Sequence, residues 1–243
     1  GAPRWNGMMM WRGTTLARPF LDGRTMVQAG PRRAKFVVYP IEPVRPDGLQ
    51  RINWICDRRL REDGFGGGLT APSREDWSKP GSLDDLLPTF GSWRFAWLDV
   101  PGLIRAAEQI LEWPMVDRDP LPRWRHGHTT LLGDAAHPMY PIGSNGATQA
   151  ILDAAALADA LDGHASITAA LNAYEAARLP MTRDIVAMNR REGLDAILDM
   201  VEEAAPEGFA RIEDVTDPTV LAEWVQAYKK AAGHQVGRPQ SAP

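Results

Sequence analysis

The stretch Leu131-Leu132-Gly133-Asp134-Ala135-Ala136-His137-Pro138-Met139-Tyr140-Pro141-Ile142-Gly143-Ser144-Asn145-Gly146-Ala147 decides how this chain is read. The apolar run Thr129 to Leu132 predicts a short strand that stops at Gly133-Asp134. Two prolines and several small turn residues then predict a loop. An alanine-rich segment follows from about Ala147 to Asp162, with Ile151, Leu152, Leu157 and Leu161 at helical spacing. Such a strand–loop–helix unit leaves unpaired backbone N–H groups and about half a positive charge at the helix N-terminus. Asp134 adds a carboxylate that accepts hydrogen bonds from hydroxyls, and Pro141 offers a carbonyl without competing as a donor. The residues alone allow two readings. One is a receptor for an acceptor-rich or anionic ligand edge; the other is an ordinary turn in which Gly and Pro serve geometry.

Upstream of this unit the texture is β-rich. Met8 to Leu16, Thr25 to Ala29, Lys35 to Ile41 and Arg51 to Asp57 are short runs of Val, Ile, Trp, Tyr and Thr punctuated by Gly, Pro and Asp. That pattern predicts an antiparallel meander, with Asp22-Gly23 as a hairpin turn between the first two strands. Ser82 predicts the N-cap of a short helix, and Pro101 opens another that runs to about Gln109. Leu111 to Val116 predicts a further strand. Downstream, a helix is expected from Ser166 to about Leu179, ending before Pro180. Another is expected over about Met181 to Ala204, and a last one from Thr216-Asp217-Pro218 to about Ala231.

Composition narrows the function classes. A net charge of −4 over 243 residues argues against a nucleic-acid or anionic-membrane partner. No run approaches the length of a membrane span. The single Cys56 allows no internal disulfide and fits a reducing cytoplasm. The five histidines lack metal-ligand spacing, so no metal is expected. Arg123, Arg125 and His126 form a small basic cluster that reads as a solvated turn, although it lies near the Gly-Asp loop.

Gly-Asp-Ala-Ala-His-Pro (133–138), followed by Pro-Ile-Gly-Ser-Asn-Gly-Ala (141–147), resembles the second flavin-binding motif of the single-component FAD-dependent aromatic hydroxylases, the para-hydroxybenzoate hydroxylase family. Pro114 to Pro122 and Met9-Met10-Trp11-Arg12-Gly13 are similar to the branch containing phenazine-modifying and salicylate-type monooxygenases. The resemblance implies that Gly133 and Asp134 hold the ribityl side of FAD. Pro141 would stand with its carbonyl at the reactive flavin carbon, the one position expected to act in catalysis. Gly143, Ser144, Asn145, Gly146 and Ala147 would present amides to the pyrimidine edge of the ring. It further implies that NADH or NADPH reduces the flavin, that O2 adds to give a C4a-hydroperoxide, and that its terminal oxygen passes to a small aromatic substrate.

The resemblance also implies a Gly-x-Gly-x-x-Gly unit, which this sequence does not contain. Gly64-Phe65-Gly66-Gly67-Gly68-Leu69 has Leu69 in place of the third glycine and reads as a loop. Gly1-Ala2-Pro3-Arg4-Trp5 likewise reads as the interior of a longer chain.

The expected fold class is therefore α+β. An antiparallel substrate-domain sheet with short helices (1–122) precedes the C-terminal strand–loop–helices part of an FAD-binding α/β domain (123–233). The N-terminal Rossmann half of that domain is expected to be absent, and a disordered tail (234–243) closes the chain. The alternative is a non-catalytic module, or one subunit of a split flavin oxidoreductase completed by a partner chain. Either way, the expected partners are the missing Rossmann half or, through an unpaired apolar edge, a second copy of the chain. For the substrate, Tyr39, Trp54 and Met115 lie in strands that either roof the pocket or fill the core. Arg12 either pairs with an aromatic carboxylate or braces the sheet.

Overall fold

The computed structural model describes residues 1–31, 33–61, 71, 76–142, 144–191 and 195–231. Its contacts divide the chain into a sheet unit, within 5–115, and a helical unit formed by 1–4 with 116–231.

The sheet unit follows the alternation of its strands. Strands β1 (Arg4–Ala17), β2 (Val27–Ala29), β3 (Ala34–Pro40), β4 (Gln50–Arg59) and β7 (Ile110–Asp117) form one sheet in the order β2-β3-β4-β1-β7. Strands β2, β3 and β4 make the predicted meander, but β1 pairs antiparallel with β4 and not with β2. Asp22-Gly23 therefore is not a hairpin turn between hydrogen-bonded neighbours. It is a turn nonetheless: Gly23 N–H bonds the Phe20 carbonyl, and the Asp22 carboxylate accepts from the N–H groups of Arg24 and Thr25. Turn chemistry is local, whereas strand pairing is settled by which faces can be buried together.

A short hairpin, β5 (Arg94–Phe95) with β6 (Leu98–Asp99), and helices α1 (Leu83–Phe90) and α2 (Val100–Arg105) complete the unit. Ser82 Oγ accepts from Asp84 N–H, as a cap should. Helix α2 stops at Arg105 rather than Gln109, and Glu108 N–H bonds Thr14 of β1 instead.

Register sorts the side chains onto two faces, because residues directly opposite in an antiparallel pair point the same way. Gly13, Val38 and Trp54 are opposed, as are Phe36 and Cys56. This face is dry: Trp54 stacks on Phe36, Phe36 meets Phe90 of α1, and Trp54 Nε1 donates to Thr15 Oγ1, which in turn donates to the Leu103 carbonyl of α2. Gly13 is required by the Trp54 ring, since a Cβ there would lie 2.3 Å from Cζ2. The opposite face carries Arg12, Tyr39, Asn53, Ile55 and the cross-strand pair Lys35–Asp57.

The helical unit contains α3 (Gly146–Gly163), α4 (Ile167–Arg190), α5 (Asp195–Ala204) and α6 (Pro218–Ala231). Two expectations fail here. Helix α4 runs straight through Pro180, a residue that costs an isolated helix interior about 3 kcal/mol. Tyr174, Arg178, Thr182, Ile185, Val186 and Asn189 form one buried face that extends on both sides of the proline, and that packing overrides the local break. The predicted strand over Thr129–Leu132 is not formed either. Leu132 is extended (φ −148°, ψ 148°), but among the described residues only a Thr129–His126 bridge forms, and the Leu131 carbonyl accepts from the Tyr174 hydroxyl. A strand needs a neighbour along its length, and this segment has a turn and a tyrosine instead. The glycine cluster at 64–68 and the tail at 234–243 lie outside the described residues.

Candidate functional site

The Gly133–Ala147 loop is held from beneath by charge. Gly133 is buried with φ +59°, a conformation that a side chain strains, and a Cβ there would stand 3.2 Å from the Ala150 methyl of α3. Its N–H donates to Asp153 Oδ2 (3.0 Å). His137 Nε2 lies 2.5 Å from the same oxygen, and Arg178 Nε donates to Asp153 Oδ1 (2.7 Å). Asp153 is wholly buried, so three donors converge on a carboxylate that water does not reach. Burial works to raise its pKa, but the hydrogen bonds from His137, Arg178 and Gly133 outweigh burial and leave it below the ordinary carboxylate value. His137 therefore ties the loop to α3. Trp124 packs against both His137 and Tyr174 and closes this core.

The sign of the Asp153 shift fixes a pH dependence. A carboxylate with a folded-state pKa below its unfolded value stabilises the protein above roughly pH 4 and loses that contribution as pH falls through the folded value. The melting-midpoint difference between wild type and Asp153→Asn should therefore be constant near neutrality and shrink below about pH 4. A difference that persists unchanged into acid would show that the carboxylate is not ionised here.

Above this anchor sit the residues singled out in the sequence. Asp134, Pro141, Ser144 and Ala147 are exposed, Gly146 is half-buried and Asn145 is buried. Gly143 lies outside the described residues. Ser144 has φ +53°, unusual without a glycine, and its N–H bonds the Pro141 carbonyl (3.0 Å). The Pro141 carbonyl is thus already engaged in a turn, with one lone pair remaining. Tyr140 precedes it and is fixed twice: Asn189 Nδ2 donates to its carbonyl, and its hydroxyl donates to the Arg4 carbonyl. Nearby, Arg190 grips Asp117 through two bonds and Asp119 through a third, and Arg4 also pairs with Asp119. The basic cluster is a turn: one oxygen of Glu175 accepts from the N–H groups of Trp124 and Arg125, and Arg125 donates to the Gly127 carbonyl.

The four residues considered for the substrate separate. Trp54 and Met115 are core: Trp54 is on the dry face, and Met115 Sδ accepts from Asn6 Nδ2. Arg12 and Tyr39 share the opposite face, with Arg12 exposed and Tyr39 half-buried. Asn53 belongs with them and was missed in the sequence. Its Oδ1 accepts from Arg12 Nε (2.6 Å), and its buried Nδ2 has no hydrogen-bond partner among the described residues. Asp153, Gln149 and Arg178 were also missed, because each lies inside a helix. The available signal was the pair Gln149 and Asp153, one turn apart in an alanine-rich helix just after the glycine loop. No group of three His, Cys, Asp or Glu among the described residues could hold a metal ion.

Comparison with known proteins gives this geometry a context. Residues 101–189 match the FAD binding domain family. The phenazine 1,6-dicarboxylic acid hydroxylase PhzS of Lysobacter antibioticus is 49% identical over 185 residues, 75% of this chain and 44% of that protein. The 3-amino-4-hydroxybenzoate 2-monooxygenase of Streptomyces cremeus is 30% identical over 237 residues, 96% of this chain and 53% of that protein. Among solved structures, a salicylate hydroxylase substrate complex aligns over 100% of this chain and 59% of its own, with a TM-score of 0.61 at 20% identity. Klebsiella pneumoniae HpxO, complexed with FAD and uric acid, aligns over 96% of this chain and 50% of its own at 0.58 and 21%. These two share the fold. The FAD binding domain match thus takes in the Gly133–Ala147 loop, α3 and most of α4. Over the part it spans, the chain is similar to these hydroxylases and monooxygenases, and it spans about half the length of the curated relatives it matches.

Proposed function

We propose that this chain forms the flavin-ring side of an FAD-dependent monooxygenase that hydroxylates a small aromatic substrate with NADH or NADPH and O2. The observation that carries the reading is the buried Asp153 anchor, which fixes the Gly133-Asp134 turn and leaves the Asp134 carboxylate exposed beside the α3 N-terminus. The loop fits a flavin on two counts. Among the described residues, Asn145 Nδ2 is a buried donor with no partner, and a Cβ on Gly146 would meet nothing within 4 Å beyond its own helix except Asp134 Oδ1.

Asp134 would hold the ribityl hydroxyls. The amides from Ser144 to Ala147 would face the acceptor-rich edge of the ring, where the helix N-terminus favours negative charge. The chemistry the flavin supplies when bound is hydride acceptance from the nicotinamide and activation of O2 for oxygen transfer. The chain's own share is to bind, orient and exclude water.

On the sheet, Arg12 and Asn53 Nδ2 are donors that suit a carboxylate or phenolate oxygen, with Tyr39 beside them; an aromatic acid is the substrate class they favour. Completion of the site by further polypeptide or by a second copy belongs to the same proposal. Leu132, Ile151 and Leu161 of the helical unit expose apolar side chains. No helix of the described residues is long and apolar enough to cross a membrane. A cytoplasmic location is proposed on the single cysteine, which is buried and whose thiol pKa is pushed up by that burial.

The test is retention of FAD. Asp134→Ala should weaken FAD binding about tenfold or more, the loss expected for hydrogen bonds to a charged acceptor. Binding would be followed through the visible flavin band of protein–FAD mixtures. Unchanged retention would remove Asp134 from the site.

A further inference from the structure

Asn145 stands at the N-cap of α3 and does not cap it. An asparagine there normally turns its side-chain oxygen onto an amide of the first turn, yet Asn145 makes no such bond. Its oxygen is taken elsewhere. Arg178 Nη2 donates to Gln149 Oε1 (2.6 Å), and Gln149 Nε2 donates to Asn145 Oδ1 (3.0 Å). The direction of this chain is not arbitrary. A guanidinium is only ever a donor, so Gln149 must offer it the oxygen. Gln149 then has its NH2 for Asn145, so Asn145 must offer its own oxygen. What remains is Asn145 Nδ2, on a residue 1% exposed and with no hydrogen-bond partner among the described residues. A buried unpaired donor is costly and rare in a folded protein. The Asp153 carboxylate that anchors Gly133 also orients Arg178, so one buried charge sets both the turn and the amide relay.

We propose that the Arg178–Gln149–Asn145 relay is a positioning device that presents the Asn145 side-chain NH2, with the uncapped first-turn amides of α3, to an acceptor oxygen of the flavin ring. It rests on the flavin reading above and adds a rule to it: the site selects an acceptor edge because Arg178 forbids the opposite amide orientation. Gln149→Glu is the decisive variant. An ionised glutamate still accepts from Arg178 but cannot donate, so Asn145 turns its NH2 toward residue 149 and leaves its carbonyl to face the ligand. Asn145→Asp removes the donor directly.

The experiment titrates FAD, FMN and ADP into the 15N-labelled chain and follows the amides of 133–147 and the Asn145 side-chain NH2, with a thermal melt of each variant. Expected is a rise of about tenfold or more in Kd for FAD and FMN in both variants, as for a hydrogen bond replaced by an acceptor–acceptor clash. The ADP response and the melting midpoint should hold. In the free wild-type chain the Gln149 NH2 should show cross-peaks to Asn145, and in Gln149→Glu the Asn145 NH2 should turn to residue 149. Equal flavin affinity in all three proteins would overturn the relay. Affinity and melting midpoint falling together would assign these residues to folding alone and overturn it too. A wild-type chain whose loop amides respond to no flavin would overturn the cofactor reading beneath it, whatever the amide orientation.

Discussion

Replacing Asp153 with alanine should destabilise the helical unit by about 3–5 kcal/mol, the range for breaking a buried ion pair by removing one member. The side chain is wholly buried, and its loss strands the Arg178 guanidinium, the His137 ring and the Gly133 N–H at once. Asp153→Asn should be milder, because an amide keeps one oxygen for Arg178 or for Gly133. Chemical denaturation read by Trp124 fluorescence measures the effect, since that indole packs on His137 and Tyr174. Amide exchange at Gly133 and His137 should rise together, while the β3–β4 ladder of the sheet unit keeps its protection. An alanine variant within about 1 kcal/mol of wild type would mean that the three donors find other partners, and the anchor would be lost as an explanation.

The second large effect belongs to Trp54. Truncation to alanine should cost about 3–5 kcal/mol, as for other fully buried large aromatics. The ring fills the space above Gly13, stacks on Phe36 and donates to Thr15. The same variant separates core from pocket. With the flavin site complete, Trp54→Ala should lower the melting midpoint and leave KM for the aromatic substrate little changed in whatever protein still folds. Arg12→Ala should do the reverse. A raised KM without loss of stability in Trp54→Ala would put the indole in the pocket and contradict its burial.

Much of the local structure was legible in the sequence because its causes are local. Ser82 caps α1 with its own hydroxyl, Pro101 sits in the first turn of α2, and the Asp217 carboxylate bonds Thr219 at the start of α6. Alternating apolar residues placed β3 and β4 to within about a residue or two. The failures share one origin. Pro180 breaks a helix only where nothing packs across it, and a buried face does so here. Thr129 to Leu132 is a strand only where a neighbour lies alongside. Asp22-Gly23 turns the chain, but nothing in a turn names the strands on either side as partners.

The Gly133–Ala147 stretch shows the same division. Sequence alone determined that a carboxylate, a donorless proline and a helix N-terminus follow one another, because those properties belong to residue types and their order. It could not determine what holds them. Asp153, Gln149 and Arg178 are 16 to 45 residues downstream of Gly133, on two different helices. Only the packing of α3 against α4 removes them from water and brings them together. Burial turns an ordinary polar pattern into a directed chain of donors and acceptors, and burial is a property of the folded chain.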